Sequence, residues 1–107
     1  MSDDGLLGVV IGHGTVAAAL VEAAEEITGV RGALVGLSNS DCDRESLERK
    51  VAEAAGDRHA VLFVDMPMGS CFHASVRRLR EGRCDGVVTG VNLAMLIDFL
   101  FHRTLPA

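Results

Sequence analysis

The stretch LLGVVIGHG, residues 6–14, is an apolar run that ends in a Gly-His-Gly turn. A short run that is apolar throughout is typical of a strand buried on both faces of a parallel sheet. Residues 15–27 then repeat apolar side chains at helical spacing, and Gly29 stands where a glycine commonly ends a helix. This stretch therefore predicts a strand, a glycine-rich turn and a helix.

The same alternation repeats three more times along the chain. Three further apolar runs predict strands and three further segments with helical periodicity predict helices. In chain order they are residues 33–37, 44–55, 60–65, 70–81, 86–91 and 93–103. Strands that alternate with helices form a parallel sheet with helices on both faces. The predicted class is therefore α/β, a doubly wound, mainly parallel four-stranded sheet of order 2-1-3-4.

Composition limits the classes of protein. The 107 residues, taken as 1–107, suit a single domain, since domains commonly hold about 100–150 residues. A net charge of −5 indicates no nucleic-acid partner. No apolar run approaches the roughly 20 residues that span a bilayer, so no membrane insertion is expected. The acidic first four residues and three scattered cysteines favour a reduced, cytoplasmic protein.

The last predicted helix, residues 93–103, is apolar on nearly every side. Asp98 is its only charged residue before Arg103. A helix of this composition must be covered on more than one side. We therefore expect a homo-oligomer that buries it.

Candidate functional residues follow the first and third strands. In open parallel sheets ligands bind beyond the carboxyl ends of the strands, where the strand order reverses. The order 2-1-3-4 places this reversal between the first and third strands, which brings His13 and Asp65 together. A carboxylate at one imidazole nitrogen fixes the tautomer and leaves the other nitrogen as a nucleophile. Gly69 and Ser70 begin a helix whose N–H groups and hydroxyl suit phosphoryl oxygens.

Other interpretations of the same residues are open at this point. A histidine after a strand is often a hydrogen-bonded surface residue, and an aspartate there often caps a helix. The turn lacks the spacing and the lysine of nucleotide-binding loops. His13, Asp65, Cys71 and His73 are all acceptable zinc ligands. Because no close ligand pair of the zinc-finger type is present, we expect no metal. We also expect no cofactor.

Three blocks of sequence, VVIGHGTVAAALVEAA, AVLFVDMPMGSCFHAS and GVNLAMLIDFL, resemble the IIA domain of the mannose-family sugar phosphotransferase system over nearly the whole chain. The resemblance implies that His13 accepts a phosphoryl group from the phosphohistidine of HPr and passes it to a IIB domain. It also implies that Asp65 orients His13 and that Ser70 binds the phosphoryl group. We expect Gly14 and Gly69 to bind this group as well.

The sequence departs from the family in one loop and at its end. Where family members read Asp-x-x-Gly-Gly-Ser-Pro-Phe-Asn, it has Met68, Cys71 and His73 in place of glycine, proline and asparagine. We expect Met66, Met68 and His73 to contact HPr, a IIB domain or a regulated kinase. The family's further C-terminal helix and exchanged strand are missing. Alternative functions are a phosphate donor to a dihydroxyacetone kinase and a non-catalytic regulatory or assembly module.

Overall fold

The computed structural model describes residues 5–40, 43–66, 69–82 and 84–103. Strands and helices alternate along these residues. In chain order they are β1 (Leu7–Gly12), α1 (Val16–Thr28), β2 (Leu34–Ser38), α2 (Arg44–Ala55), β3 (Ala60–Val64), α3 (Ser70–Arg80), β4 (Gly86–Thr89) and α4 (Leu93–His102). The strands form one sheet of order β2-β1-β3-β4, and every neighbouring pair is parallel. The predicted α/β class and strand order are confirmed.

Two helices cover each face of the sheet. Leu7, Val9 and Ile11 of β1 pack with side chains of α2 and α3, whereas Val10 packs with side chains of α1 and α4. Side chains alternate between the two faces of a strand, so a strand covered on both faces is apolar throughout. This double burial explains why the run that opens the chain shows no polar alternation.

Asparagine and aspartate side chains begin two of the helices. Asp43 Oδ1 accepts a hydrogen bond from the backbone N–H of Ser46 at 2.7 Å, at the start of α2. Asn92 Oδ1 accepts one from Met95 N–H at 3.0 Å, at the start of α4. Each bond satisfies an N–H group that the helix itself leaves without a partner.

One strand is shorter than its apolar run predicted. β4 ends at Thr89, although the run continues through Val91. Gly90 has a φ of +67°, which lies outside the extended conformation and ends the strand. The chain therefore turns toward α4 two residues earlier than hydrophobicity alone indicates.

α4 is packed on one side and exposed on another. Leu96 and Leu100 are buried, and the Phe99 ring meets Phe63 edge to face with 5.1 Å between centroids. Phe101 on the same helix is 64% exposed. Burial of α4 by a second subunit stays a prediction. Among the helices of the described residues, none combines the length and apolar composition needed to cross a bilayer.

Candidate functional site

The carboxyl ends of β1 and β3 lie side by side where the strand order reverses. Ile11 pairs with Val64, and Asp65 N–H donates a hydrogen bond to the Ile11 carbonyl at 3.3 Å. Because the two strands are parallel and in this register, the residues that follow them enter the same space. The structure thus brings His13 and Asp65 together, whereas their chemical roles stay predictions.

Asp65 holds His13 through one carboxylate oxygen. The backbone N–H of His13 donates to Asp65 Oδ2 at 3.0 Å, and His13 Nδ1 lies 2.8 Å from the same oxygen. The side chain of Asp65 is 14% exposed, whereas that of His13 is 48% exposed. The carboxylate therefore lies mostly beneath the surface and positions the imidazole, which is the part of the pair that a partner can reach.

The ionisation of Asp65 determines the tautomer of His13. Burial alone would raise the pKa of Asp65, but hydrogen bonds from the ring and the backbone of His13 outweigh it and lower the pKa below its ordinary value. Asp65 is therefore ionised at neutral pH and only accepts hydrogen bonds. The Nδ1 atom of a neutral His13 ring then carries the proton, which leaves the lone pair on Nε2.

Two helix N-termini lie at the same edge of the sheet, because α1 follows β1 and α3 follows β3. Gly14, just before α1, has a φ of +56°, and Gly69, just before α3, has a φ of +91°. Backbone in this region favours glycine. The first turns of α1 and α3 carry no acidic side chain, and helix N-termini attract anions through their N–H groups.

Cys71 joins His13 and Asp65 at this edge. One potential ligand atom from each of the three residues lies within 4.8 Å of the others. Cys71 is fully buried and packs in the core between the sheet and α3. In the sequence, Cys71 is a departure from the family pattern and one possible zinc ligand. Its place in the first turn of the helix after Asp65 was the available signal.

The remaining predicted site residues divide into two groups. Met66 directly follows Asp65 and is 45% exposed, and His73 is exposed in the first turn of α3. Met68 and the Ser70 side chain lie outside the described residues. His73 does not join the cluster that His13, Asp65 and Cys71 form. The predicted contacts of Met66, Met68 and His73 with a partner stay predictions.

A second His-Asp pair lies at the opposite edge of the sheet. His59 Nδ1 is 3.2 Å from Asp85 Oδ1, and the two residues precede β3 and β4. They line a cleft of about 440 Å³ at the amino ends of these strands. Ligands of parallel sheets bind at the carboxyl ends instead. The pair is therefore a natural internal control for His13 and Asp65.

The geometry at His13 suits transfer of a group between proteins. The His13 side chain is about half exposed, so a second macromolecule can reach its ring. The buried carboxylate behind the ring can stabilise the positive charge that the ring gains when Nε2 is substituted. The helix N-termini beside it suit the oxygens of an anionic group.

Comparison with known proteins identifies one family. The family model EIIA-man, described as PTS system fructose IIA component, matches residues 8–107.

Several solved structures share the fold of this chain. The PTS IIA protein associated with the fucose utilization operon from Streptococcus pneumoniae is 19% identical, with a TM-score of 0.85 over 100% of this chain and 85% of that one. The EIIA component from Streptococcus agalactiae is 18% identical, with a TM-score of 0.82 over 94% of this chain and 81% of that one. The mannose/sorbose-specific IIA subunit from Enterococcus faecalis is 20% identical, with a TM-score of 0.73 over 96% of this chain and 79% of that one.

Proposed function

Because this chain belongs to the mannose-type IIA family of the phosphotransferase system, we propose that it is a phosphocarrier in which His13 accepts a phosphoryl group from phospho-HPr. His13 then passes the group to a IIB domain or to a regulated kinase. The observation that carries this proposal is the 2.8 Å contact between His13 Nδ1 and Asp65 Oδ2. It places the lone pair of the ring on the other nitrogen, Nε2.

The proposed transfer needs no diffusible cofactor, since the partner supplies the phosphoryl group. His13 Nε2 attacks the phosphorus of the phosphohistidine of HPr. The new N–P bond forms as the N–P bond in HPr breaks, and the imidazole of HPr leaves with the electron pair of that bond. Asp65 keeps the proton on Nδ1 and stabilises the charge on the phosphorylated ring. The reverse sequence of bond changes delivers the group to the next acceptor.

Groups around His13 bind the phosphoryl oxygens in this proposal. The backbone at Gly14 and Gly69, at the starts of α1 and α3, and the hydroxyl of Ser70 are assigned this role. The absence of acidic side chains from the first turns of both helices supports it, because a carboxylate there would repel the transferred group.

A surface around His13 receives the protein partners. Met66 directly follows Asp65, is 45% exposed and offers an apolar side chain to a partner. Flexible methionine side chains adapt to more than one partner surface, which suits a carrier that must bind both a donor and an acceptor. Met68 and His73 are assigned to the same surface. The carrier is placed in the cytoplasm, where HPr supplies the phosphoryl group.

The last helix supplies the contact between subunits. Phe101 is 64% exposed on α4, a helix whose buried side already packs on its own sheet. We assign this apolar surface to a homo-oligomer.

Mass spectrometry of the intact protein tests the phosphocarrier proposal. The chain is incubated with enzyme I, HPr and phosphoenolpyruvate, beside His13→Ala and the matched control His59→Ala. We expect one acid-labile phosphoryl group on the wild type and on His59→Ala, and none on His13→Ala. Phosphate on His13→Ala would overturn the assignment of the acceptor.

A folded wild type that takes no phosphate from its cognate HPr would instead favour a non-catalytic assembly module. If phosphate is accepted, a second incubation separates the possible acceptors. Loss of the group to a IIB domain supports a role in sugar uptake, whereas loss only to a dihydroxyacetone kinase supports the regulated-kinase role.

A further inference from the structure

Three residues from separate parts of the sequence meet at the carboxyl edge of the sheet. His13 follows β1, Asp65 follows β3, and Cys71 lies in the first turn of α3. Their candidate ligand atoms all lie within 4.8 Å of one another. Zinc bonds of about 2.0–2.3 Å in a tetrahedral site place ligand atoms about 3.5 Å apart. The cluster is therefore within a small side-chain movement of a coordination geometry.

The three residues differ in how freely they can move. Cys71 is fully buried in the core and the Asp65 side chain is 14% exposed, so the positions of these two side chains are restricted by packing. His13 is 48% exposed on a turn between two glycines, so its ring has room to close over an ion. The exposed ring also provides the side from which an ion enters.

A second observation marks Asp65 as a ligand. Its Oδ2 atom contacts His13, whereas its Oδ1 atom is buried and has no hydrogen-bond partner in the part of the chain that the structure describes. A buried carboxylate oxygen without a partner loses its hydration without compensation. A cation bound between Asp65 and Cys71 would supply that compensation.

We propose that His13, Asp65 and Cys71 form a zinc site that competes with the phosphoryl group for His13. Sequence spacing alone indicated no metal site, because the chain has no close ligand pair of the zinc-finger type. Thiolate and imidazole ligands favour zinc over magnesium or calcium, and three protein ligands leave one coordination position open. On binding, the Cys71 thiol releases its proton to solvent, and the thiolate sulfur and a lone pair of His13 bind the metal.

Zinc and phosphate exclude one another at His13 whichever nitrogen binds the metal. If Nε2 binds the ion, the nucleophile proposed above is occupied. If Nδ1 binds it, the remaining proton of the neutral ring lies on Nε2, which then has no lone pair to attack phosphorus. This regulatory part rests on the proposed function, whereas metal binding does not. The site would make phosphoryl acceptance sensitive to zinc.

Cobalt(II) is the probe for the site, since it occupies zinc sites and gives a thiolate-to-metal charge-transfer absorption. We expect the wild type to bind one equivalent of Co²⁺ with this band and to release it to Zn²⁺. The band should be lost in Cys71→Ser and in His13→Asn. It should persist in Cys84→Ser and His59→Asn, which alter a cysteine and a histidine beside the cleft at the opposite edge.

Absence of a thiolate band in the wild type, or its survival in His13→Asn, would overturn the zinc site. His13 is exposed, so His13→Asn decides the question even if substitution at buried Cys71 prevents folding.

The effect of zinc on phosphoryl acceptance is measured with purified phospho-HPr, so that zinc cannot act on enzyme I. One equivalent of Zn²⁺ should slow phosphoryl acceptance by the wild type at least tenfold, and a zinc chelator should restore it. Cys71→Ser should be insensitive to the same zinc. An unchanged rate with zinc bound overturns the competition. If the chelated wild type accepts no phosphate at all, the proposed function fails, whereas the cobalt spectra still decide the metal site.

Discussion

Asp65 Oδ2 accepts both N–H groups that His13 offers, the backbone N–H at 3.0 Å and the ring at Nδ1 at 2.8 Å. One oxygen therefore fixes the backbone of the turn and the orientation of the imidazole together. A nucleophile oriented before its partner arrives loses less entropy in the transition state. The pair is accordingly the part of the molecule where a single substitution has the clearest expected effect.

We expect Asp65→Asn to slow phosphoryl acceptance by about 10²-fold or more. The amide keeps the size of the carboxylate but not its charge, so it neither enforces the Nδ1-protonated tautomer nor stabilises the phosphorylated ring. Rapid-quench kinetics with purified phospho-HPr measure the change. The matched control is Asp85→Asn, which alters the carboxylate of the other His-Asp pair. Equal rates for wild type and Asp65→Asn would contradict the assigned role.

Asp65 also predicts how stability depends on pH. Burial raises the pKa of Asp65, but hydrogen bonds from His13 lower it by a larger amount. The native pKa therefore lies below the ordinary value of 3.8. The ionised carboxylate therefore stabilises the native state above about pH 3.9. This contribution is lost as the pH falls through the lower native pKa. Wild type should therefore be more stable than Asp65→Asn at neutral pH, and their difference should narrow below about pH 4.

Urea denaturation of both proteins at pH 7 and at pH 3 measures this difference in the free energy of unfolding. A difference that is the same at both pH values would show that the carboxylate charge makes no contribution.

The strand order and the pairing of His13 with Asp65 follow from the sequence. Apolar runs and glycines locate the strands, and the order 2-1-3-4 places the ends of β1 and β3 together. The periodicity of the sequence carries no information about distances between residues on different elements. It assigns a residue to a face of a helix or strand but not to a neighbour on another element. The approach of Cys71 to His13 depends on how α3 packs on the sheet, so the sequence indicated the residue type and not the contact.

The hydrophobic pattern also could not predict where β4 ends. Val91 continues an apolar run, and hydrophobicity alone cannot distinguish a strand residue from an apolar residue in the following turn. The positive φ of Gly90 ends the strand. A glycine permits that conformation without requiring it, so its presence in the sequence did not determine where the strand stops.

Gly8 on β1 is crowded by the side chains of Leu34 on β2 and Phe99 on α4. A Cβ atom at this position would lie 2.6 Å from Leu34 Cδ2 and 2.9 Å from Phe99 Cε2. We expect Gly8→Ala to lower the free energy of unfolding by about 1–3 kcal/mol, because both neighbours lie in a packed core. Chemical denaturation measures the loss.

The control for Gly8→Ala is Gly86→Ala in the same sheet. A Cβ at Gly86 meets nothing within 4 Å, and its φ is not positive. This substitution should change stability by no more than about 0.5 kcal/mol. If the two variants are equally destabilised, the loss comes from the backbone of the sheet and not from crowding by Leu34 and Phe99.

The exposed apolar side of α4 predicts the effect of a charge on assembly. Phe101 is 64% exposed on the helix that we assign to the subunit contact. A lysine in its place would be transferred into an apolar interface without a partner, which costs several kcal/mol. Phe101→Lys should therefore shift the protein from oligomer to monomer in sedimentation equilibrium. Leu79→Lys, on α3 and 42% exposed, makes the same chemical change on another helix and should leave the oligomer intact. Dissociation by Leu79→Lys alone would move the contact between subunits from α4 to α3.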